Sequence, residues 1–264
     1  MNAFSFVLPA LVASSLALFA DSLPSAVYHA PAVASSSQKA TSQQVLKGST
    51  LDLKTLEVTT NLLPPGQTSR QQLAGAEELL IVEAGQLAVT IHDSTKQLAP
   101  GGVLLTMAGD QPTLRNSTAA PVRYWVLKFN ATEGVNAARG QAGGGAFVRD
   151  WASFPVTKTE KGETRPVFDR PSSMFARFDV HATVLNAGKA SHPPHTHRTE
   201  EIILMTQGHG QILIDKTAHP AAAGDVVLLR SNVPHAFTNT SQAPVGYFAI
   251  QWHSQAELQA SPAK

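Results

Sequence analysis

The strongest constraint on the fold is an internal repeat. Residues 76–91 align without a gap with residues 199–214, so that a pair of glutamates, an apolar run and a glycine coincide at an offset of 201 − 78 = 123. Residues 120–125 and 243–248 match at the same offset. Because a duplicated unit adopts the same structure in each copy, the chain is predicted to fold as two similar units in tandem.

Each unit has the residue pattern of short β-strands. In the second copy, β-branched and aromatic runs occupy residues 178–185, 201–208, 210–215, 224–230 and 246–252, separated by turn-forming residues. Regularly spaced short strands are typical of β-sandwiches and β-barrels. The best helical candidate, residues 254–260, is short. We therefore predict an all-β fold with a sandwich or barrel in each half.

The repeat and the local composition divide the chain into six predicted segments. These are a signal peptide at 1–20, a flexible lead-in at 21–49, an N-terminal barrel at 50–129, a linker at 130–164, a C-terminal barrel at 165–254 and a tail at 255–264. The first segment is apolar, uncharged and ends in small residues, which favours export to a secreted or periplasmic location. The alternative is an apolar element packed on a cytoplasmic protein. The rest of the chain has no run of about 18 apolar residues, so no membrane span is expected.

The composition argues against some partners and ligands. Lys and Arg number 20 against 19 Asp and Glu, which leaves a net charge of +1 and no basic stripe. Nucleic acid is therefore not expected as a partner. Cysteine is absent, so any metal site must use nitrogen and oxygen ligands.

Histidines are concentrated just before the apolar run of the second copy. Alternation along a strand would place His195 and His197 on one face, with Glu201 four residues further on. His235 follows the run at residues 224–230, and closure of a barrel could bring it to the same point. We predict these four side chains as metal ligands. The alternative is a hydrogen-bonded polar rim without a metal.

The first copy is an internal control for this interpretation. At the 123-residue offset it has Gln72, Ala74 and Pro112 in place of the three histidines and keeps only Glu78. The fold can therefore be built without imidazoles. This favours metal binding in the second copy and a structural role for Glu78 in the first.

The chemistry of the four ligands limits the metal. Three imidazoles and one carboxylate suit Mn, Fe, Co, Ni, Cu or Zn, whereas Ca and Mg prefer oxygen ligands throughout. Four protein ligands to an octahedral ion leave two positions for water, dioxygen or substrate. An open coordination sphere is typical of a catalytic metal.

These residues make the chain resemble the cupins, and the duplication makes it resemble a bicupin. The first cupin motif is matched by Gly188, His195, His197, Glu201 and Gly208, and the second by Gly224, His235 and Asn239. Arg230 and Asn232 stand where the family has proline and glycine, and the loop before His195 is one residue longer than usual. The resemblance implies two tandem antiparallel β-barrels of the jelly-roll, double-stranded β-helix type, with the metal in the C-terminal one.

The resemblance does not imply a single reaction, because cupins include oxalate decarboxylases, dioxygenases, sugar isomerases, aminohydrolases and proteins without activity. Strand alternation predicts apolar pocket walls at Met205 and Phe237, and His192 is a third candidate pocket residue. Such walls favour a small, oxygen-bearing substrate. We expect a dioxygenase-like or decarboxylase-like metalloenzyme that uses Mn or Fe. The alternatives are a non-catalytic, metal-dependent module for a small molecule or sugar and, less favoured by the intact ligand set, a structural bicupin. A homo-oligomer is left open.

Overall fold

The computed structural model describes residues 22–31, 38–70 and 73–260, and nearly all of its regular structure is β-strand. The strands of the first half follow β1 (Ala26–Tyr28) and are β2 (Thr41–Gly48), β3 (Leu53–Leu63), β4 (Thr68–Arg70), β5 (Glu77–Ala84), β6 (Leu87–Ile91), β7 (Ser94–Leu98), β8 (Val103–Thr106), β9 (Thr113–Arg115) and β10 (Val122–Ala131). The connection to the second half contains α1 (Ala137–Ala142), β11 (Phe147–Arg149), a 3-10 turn (Trp151–Ser153) and β12 (Thr157–Thr159). The second half consists of β13 (Gly162–Arg170), β14 (Arg177–Leu185), β15 (Glu200–Gln207), β16 (His209–Ile214), β17 (Thr217–Ala222), β18 (Val226–Leu229), β19 (His235–Thr238), β20 (Val245–His253) and α2 (Gln255–Ala260).

Each half pairs a large antiparallel sheet with a small one. In the first half the orders are β11-β8-β5-β10-β3-β2 and β4-β9-β6-β7, and in the second they are β1-β18-β15-β20-β14-β13-β12 and β17-β16-β19. The central pairings repeat in register: Glu78 lies opposite Lys128 in β5 and β10, and Glu201 lies opposite Gln251 in β15 and β20. The predicted all-β fold and the internal duplication are confirmed.

The two halves exchange a short strand. β1, which precedes the first half, pairs with β18 of the second half. β11, which precedes the second half, pairs with β8 of the first. Each exchanged strand covers an edge that would otherwise expose unpaired backbone groups, so the exchange ties the halves together.

A shared apolar core lies between the two large sheets. It contains Trp125 and Phe129 of β10 together with Phe178 of β14 and Trp252 of β20. The rings of Phe129 and Phe178 meet edge to face at 5.3 Å. Separate apolar clusters fill the interior of each half, so the molecule has three contiguous apolar layers. Because the middle layer takes residues from both halves, we expect neither large sheet to be stable in water alone.

Two fully buried glutamates connect the halves reciprocally. Glu200 accepts hydrogen bonds from the Thr50 hydroxyl at 2.5 Å and the Asp52 amide at 3.1 Å. Glu77, its counterpart in the repeat, accepts one from the Ser173 hydroxyl at 2.8 Å. Each carboxylate thus accepts hydrogen bonds from a turn in the other half. These buried hydrogen bonds help to fix the position of one half relative to the other.

The segments predicted as a flexible lead-in and a linker both contain regular structure. Residues 41–48 form β2, which pairs with β3; their polar side chains alternate with more buried positions, as expected for an edge strand. Residues 130–164 contain α1, β11 and β12, and Trp151 packs on Phe248 at 6.0 Å. The glycine-rich composition that indicated a linker belongs to turns of a packed segment. The predicted signal peptide at 1–20 lies outside the described residues.

No helix among residues 22–31, 38–70 and 73–260 has the length and apolar character needed to cross a membrane.

Candidate metal centre

Three of the predicted ligands meet at one point. The possible ligand atoms of His195, His197 and His235 all lie within 4.8 Å of one another. His195 and His235 form a two-residue antiparallel bridge, with N–O distances of 3.2 and 3.0 Å between their backbones. The two histidines of the first motif do not lie in a strand as predicted, because β15 starts only at Glu200. The bridge and the bent loop, not strand alternation, bring the rings together.

The hydrogen bonds of two rings define their tautomers. His197 Nδ1 is 2.8 Å from the carbonyl oxygen of Thr199, and His235 Nδ1 is 2.8 Å from that of Val233. A carbonyl oxygen only accepts, so Nδ1 carries the proton and Nε2 of the neutral ring carries a lone pair. Both Nε2 atoms are buried and have no hydrogen-bond partner among the described residues. Two buried lone pairs are therefore available to an electrophile.

Glu201 faces the same point. Its Oε2 atom lies 3.3 Å from His197 Nε2 and 3.6 Å from His235 Nε2, and it accepts a hydrogen bond of 3.0 Å from Gln251 Nε2. Burial by itself would raise the pKa of Glu201, but the imidazoles of His197 and His235 and the Gln251 amide outweigh it and lower the pKa to about 2. The carboxylate is thus ionised at any physiological pH.

The imidazoles respond differently to this environment. Burial lowers the pKa of His195, and the neighbouring His192, His235 and His197 lower it further. The contact with Glu201 raises the pKa of His197 despite its burial. A proton therefore competes with a cation for the Nε2 atom of His197.

A second set of side chains supports the ligand loop from the C-terminal helix. Glu257 of α2 accepts a 2.6 Å hydrogen bond from the Thr199 hydroxyl and lies 3.1 Å from His253 Nδ1. The carbonyl of Thr199 is the acceptor that orients His197. The sequence indicated neither role, since His253 stood outside the histidine cluster and residues 255–264 were expected to be a tail.

A cavity of about 650 Å³ opens onto the cluster. Two of the candidate pocket residues, Phe237 and His192, line it together with Tyr247. Met205, the third candidate, does not line it, because it is fully buried in the apolar interior of the second half. A polar, partly exposed part of the cavity wall, called its mouth below, consists of residues 159–164, from the end of β12 into the start of β13.

The matching position in the first half has no comparable cluster among its described residues. Glu78 is buried, and its partner is Lys128, whose Nζ atom is 3.6 Å away. Gln72, the counterpart of His195, lies outside the described residues.

A family model described as a cupin domain matches residues 182–251, which include all four clustered side chains. Residues 182–251 therefore form a cupin domain. The matched residues run from β14 to β20, so they contain most of the second half. The first half carries the same central strand order without a histidine cluster among its described residues. A comparison with curated protein sequences finds no match.

Solved structures share the cupin fold over both halves. AerE from Microcystis aeruginosa is 15% identical with a TM-score of 0.64, and the match covers 85% of this chain and 98% of that one. A putative glyoxylate-induced protein from Pseudomonas aeruginosa is 19% identical with a TM-score of 0.63, covering 80% and 78%. Oxalate decarboxylase from Bacillus subtilis, studied for its Mn(II) centers, is 14% identical with a TM-score of 0.60, covering 78% and 70%. At these identities the likeness concerns the fold.

Proposed function

We propose that this protein holds a divalent transition metal at His195, His197, Glu201 and His235 and is a metalloenzyme of the dioxygenase or decarboxylase type. The observation that carries the proposal is the pair of buried Nε2 lone pairs beside an ionised carboxylate. Buried polar atoms without partners are costly in a native structure, and coordination of a cation would satisfy them.

Manganese or iron is the proposed ion. Nitrogen and oxygen donors without sulfur suit first-row divalent metals, and Co, Ni, Cu and Zn are the other candidates. The likeness to an oxalate decarboxylase with Mn(II) centers supports manganese. When bound, such an ion polarises a coordinated oxygen and neutralises negative charge that develops on a substrate.

The cavity supports a small, oxygen-bearing substrate. Its inner wall contains Ile203, Phe237 and Tyr247, and burial raises the pKa of Tyr247 to about 12, so this phenol stays neutral and can donate a hydrogen bond. Two charged groups at the mouth are already engaged: Lys161 donates to the Ser191 carbonyl at 2.8 Å, and Glu163 pairs with Arg165 at 3.0 Å. Apart from Glu160, the described wall thus offers shape, histidines and a few neutral polar groups to a ligand.

Turnover tests this proposal. Protein loaded with Mn(II) or Fe(II) is incubated with oxalate and, separately, with catechol, while dioxygen uptake and carbon dioxide release are recorded. We expect one substrate class to be turned over by the wild-type protein and by neither a metal-free sample nor His195→Ala. Equal rates in the wild type and His195→Ala would contradict the assignment of the site.

A non-catalytic binding module is the second candidate, and the engaged charges at the cavity mouth favour it. Lys161 and Glu163 are held in structural contacts, while Glu160, His181 and His192 are, besides Tyr247, the other ionisable groups of the described wall outside the cluster. Saturable displacement of water from Mn(II) by oxalate, measured by proton relaxation, together with no turnover, would support this candidate.

A further inference from the structure

The strand glutamates of the two halves face different partners at one register position. Glu78 lies directly across from Lys128, and Glu201 lies directly across from Gln251. The separations agree with the repeat, since 201 − 78 and 251 − 128 both equal 123. The backbone therefore presents the same pair of positions twice, and only the residue on the last strand changes.

In the first half this partner is a cation. Lys128 Nζ is 3.6 Å from Glu78 Oε1, and the lysine side chain is 41% exposed while the glutamate side chain is 10% exposed. Burial raises the pKa of Glu78, and the ammonium group opposes that shift. The charge of a buried carboxylate is thus compensated from within the chain, and no histidine contributes.

In the second half the partner is neutral. The Gln251 amide donates a 3.0 Å hydrogen bond to Glu201 Oε2, the same oxygen that faces His197 and His235. An amide fixes the direction of that oxygen but cannot neutralise its charge. A buried carboxylate among neutral imidazoles still requires a positive charge nearby.

From this contrast we propose that the residue opposite the strand glutamate decides whether the charge of that glutamate is compensated within the chain or left for a metal ion. Gln251 is a positioning residue that holds Glu201 toward the three histidines and leaves its charge for the ion. Lys128 takes the place of an ion in the first half. This inference rests on the proposed metal site and adds the residue that positions its carboxylate.

The test is Gln251→Lys, which installs in the second half the pair found in the first. Mn(II) affinity is measured by titration calorimetry and bound metal by elemental analysis, with thermal unfolding of the metal-free proteins alongside. We expect Gln251→Lys to keep the metal-free unfolding midpoint and to lose Mn(II) binding. Gln251→Leu, which removes the hydrogen bond without adding charge, is expected to bind roughly 10-fold to 100-fold more weakly.

Lys128→Gln is the matched control, because it makes the reverse change in the other half and should leave Mn(II) affinity unchanged. The Mn(II) paramagnetic resonance spectrum should change in Gln251→Leu but not in Lys128→Gln. A merely structural role of Gln251 would not produce this difference.

Unchanged affinity in Gln251→Lys overturns the inference while the metal site stands. If Gln251→Lys does not fold, unchanged affinity in Gln251→Leu overturns it and weakened affinity supports it. A wild-type protein without Mn(II) affinity refutes the proposed function itself.

Discussion

At the scale of single residues, the candidate centre depends on two backbone carbonyls as much as on its histidines. The sequence could predict which side chains cluster, because the first copy has no histidine at the positions that match His195, His197 and His235. It could not predict that the carbonyls of Thr199 and Val233 accept from the Nδ1 atoms, since this depends on loop geometry. The repeat aligns Gln251 with Lys128, so the sequence could mark this position as different in the two halves. The hydrogen bond from Gln251 to Glu201 could not be predicted from the sequence.

Metal affinity should depend on pH through His197. Its contact with Glu201 raises its pKa, so the imidazole binds a proton more readily than a free histidine. A protonated ring has no lone pair at Nε2, and it repels a cation. Mn(II) affinity should therefore fall by about tenfold per pH unit once the pH drops below that raised pKa, as calorimetry between about pH 5 and pH 8 would show. An affinity independent of pH over this range would contradict the ligand role of His197.

At the scale of elements, exposed edges were harder to predict than buried strands. β15 and β20 are nearly continuous apolar runs that are buried on both faces, so their sequence is diagnostic. β2 and β12 are short of apolar residues because they lie at sheet edges. Their polar sequences have the composition of loops, and these segments are identified as strands only by their backbone pairing with a neighbouring strand.

The helix α2 should influence the metal from outside the ligand set. In Glu257→Ala the Thr199 hydroxyl loses its acceptor, and the loop that orients His197 loosens. We expect Mn(II) affinity to fall roughly 10-fold and the unfolding temperature to drop. Leu258→Ala, on the same helix and 39% exposed, is the matched control and should change neither. Equal affinities in the two variants would show that the helix does not position His197.

At the scale of the whole molecule, the duplicated halves form one folding unit. The exchanged strands, the aromatic layer between the large sheets and the reciprocal glutamates all cross from one half to the other. The repeat predicted two units, but the sequence could not reveal this exchange, because pairing between distant segments has no local signature. The segment boundaries predicted for the two barrels stay a prediction.

Loss of a reciprocal glutamate should destabilise the whole chain. Glu200→Ala leaves the Thr50 hydroxyl and the Asp52 amide buried without their acceptor, at a cost of about 1–3 kcal/mol each. We expect urea unfolding to remain a single transition at lower urea concentration. Separate transitions for the two halves, in the wild type or in the variant, would contradict a shared core.

Glu77 should make stability depend on pH. Burial raises the pKa of its carboxyl above the ordinary 4.5, and hydrogen bonds from Ser173 and Met174 offset this only in part. The pKa of Glu77 is higher in the folded than in the unfolded chain. Its contribution to the free energy of unfolding is therefore full below about pH 4.5 and is lost as the pH rises through the folded pKa. In Glu77→Gln that loss should disappear from urea unfolding curves recorded from about pH 5 to pH 8. An identical pH dependence in both proteins would contradict the raised pKa.

The most direct test of the metal centre is elemental analysis of protein purified without added metal or a chelating tag. The wild type should carry about one Mn or Fe per chain. His197→Ala should lose that ion yet keep the metal-free unfolding temperature, and His209→Ala, an exposed histidine on β16, should keep the ion. Equal metal content in the wild type and His197→Ala, or no metal in the wild type even after incubation with Mn(II) or Fe(II), would contradict the account.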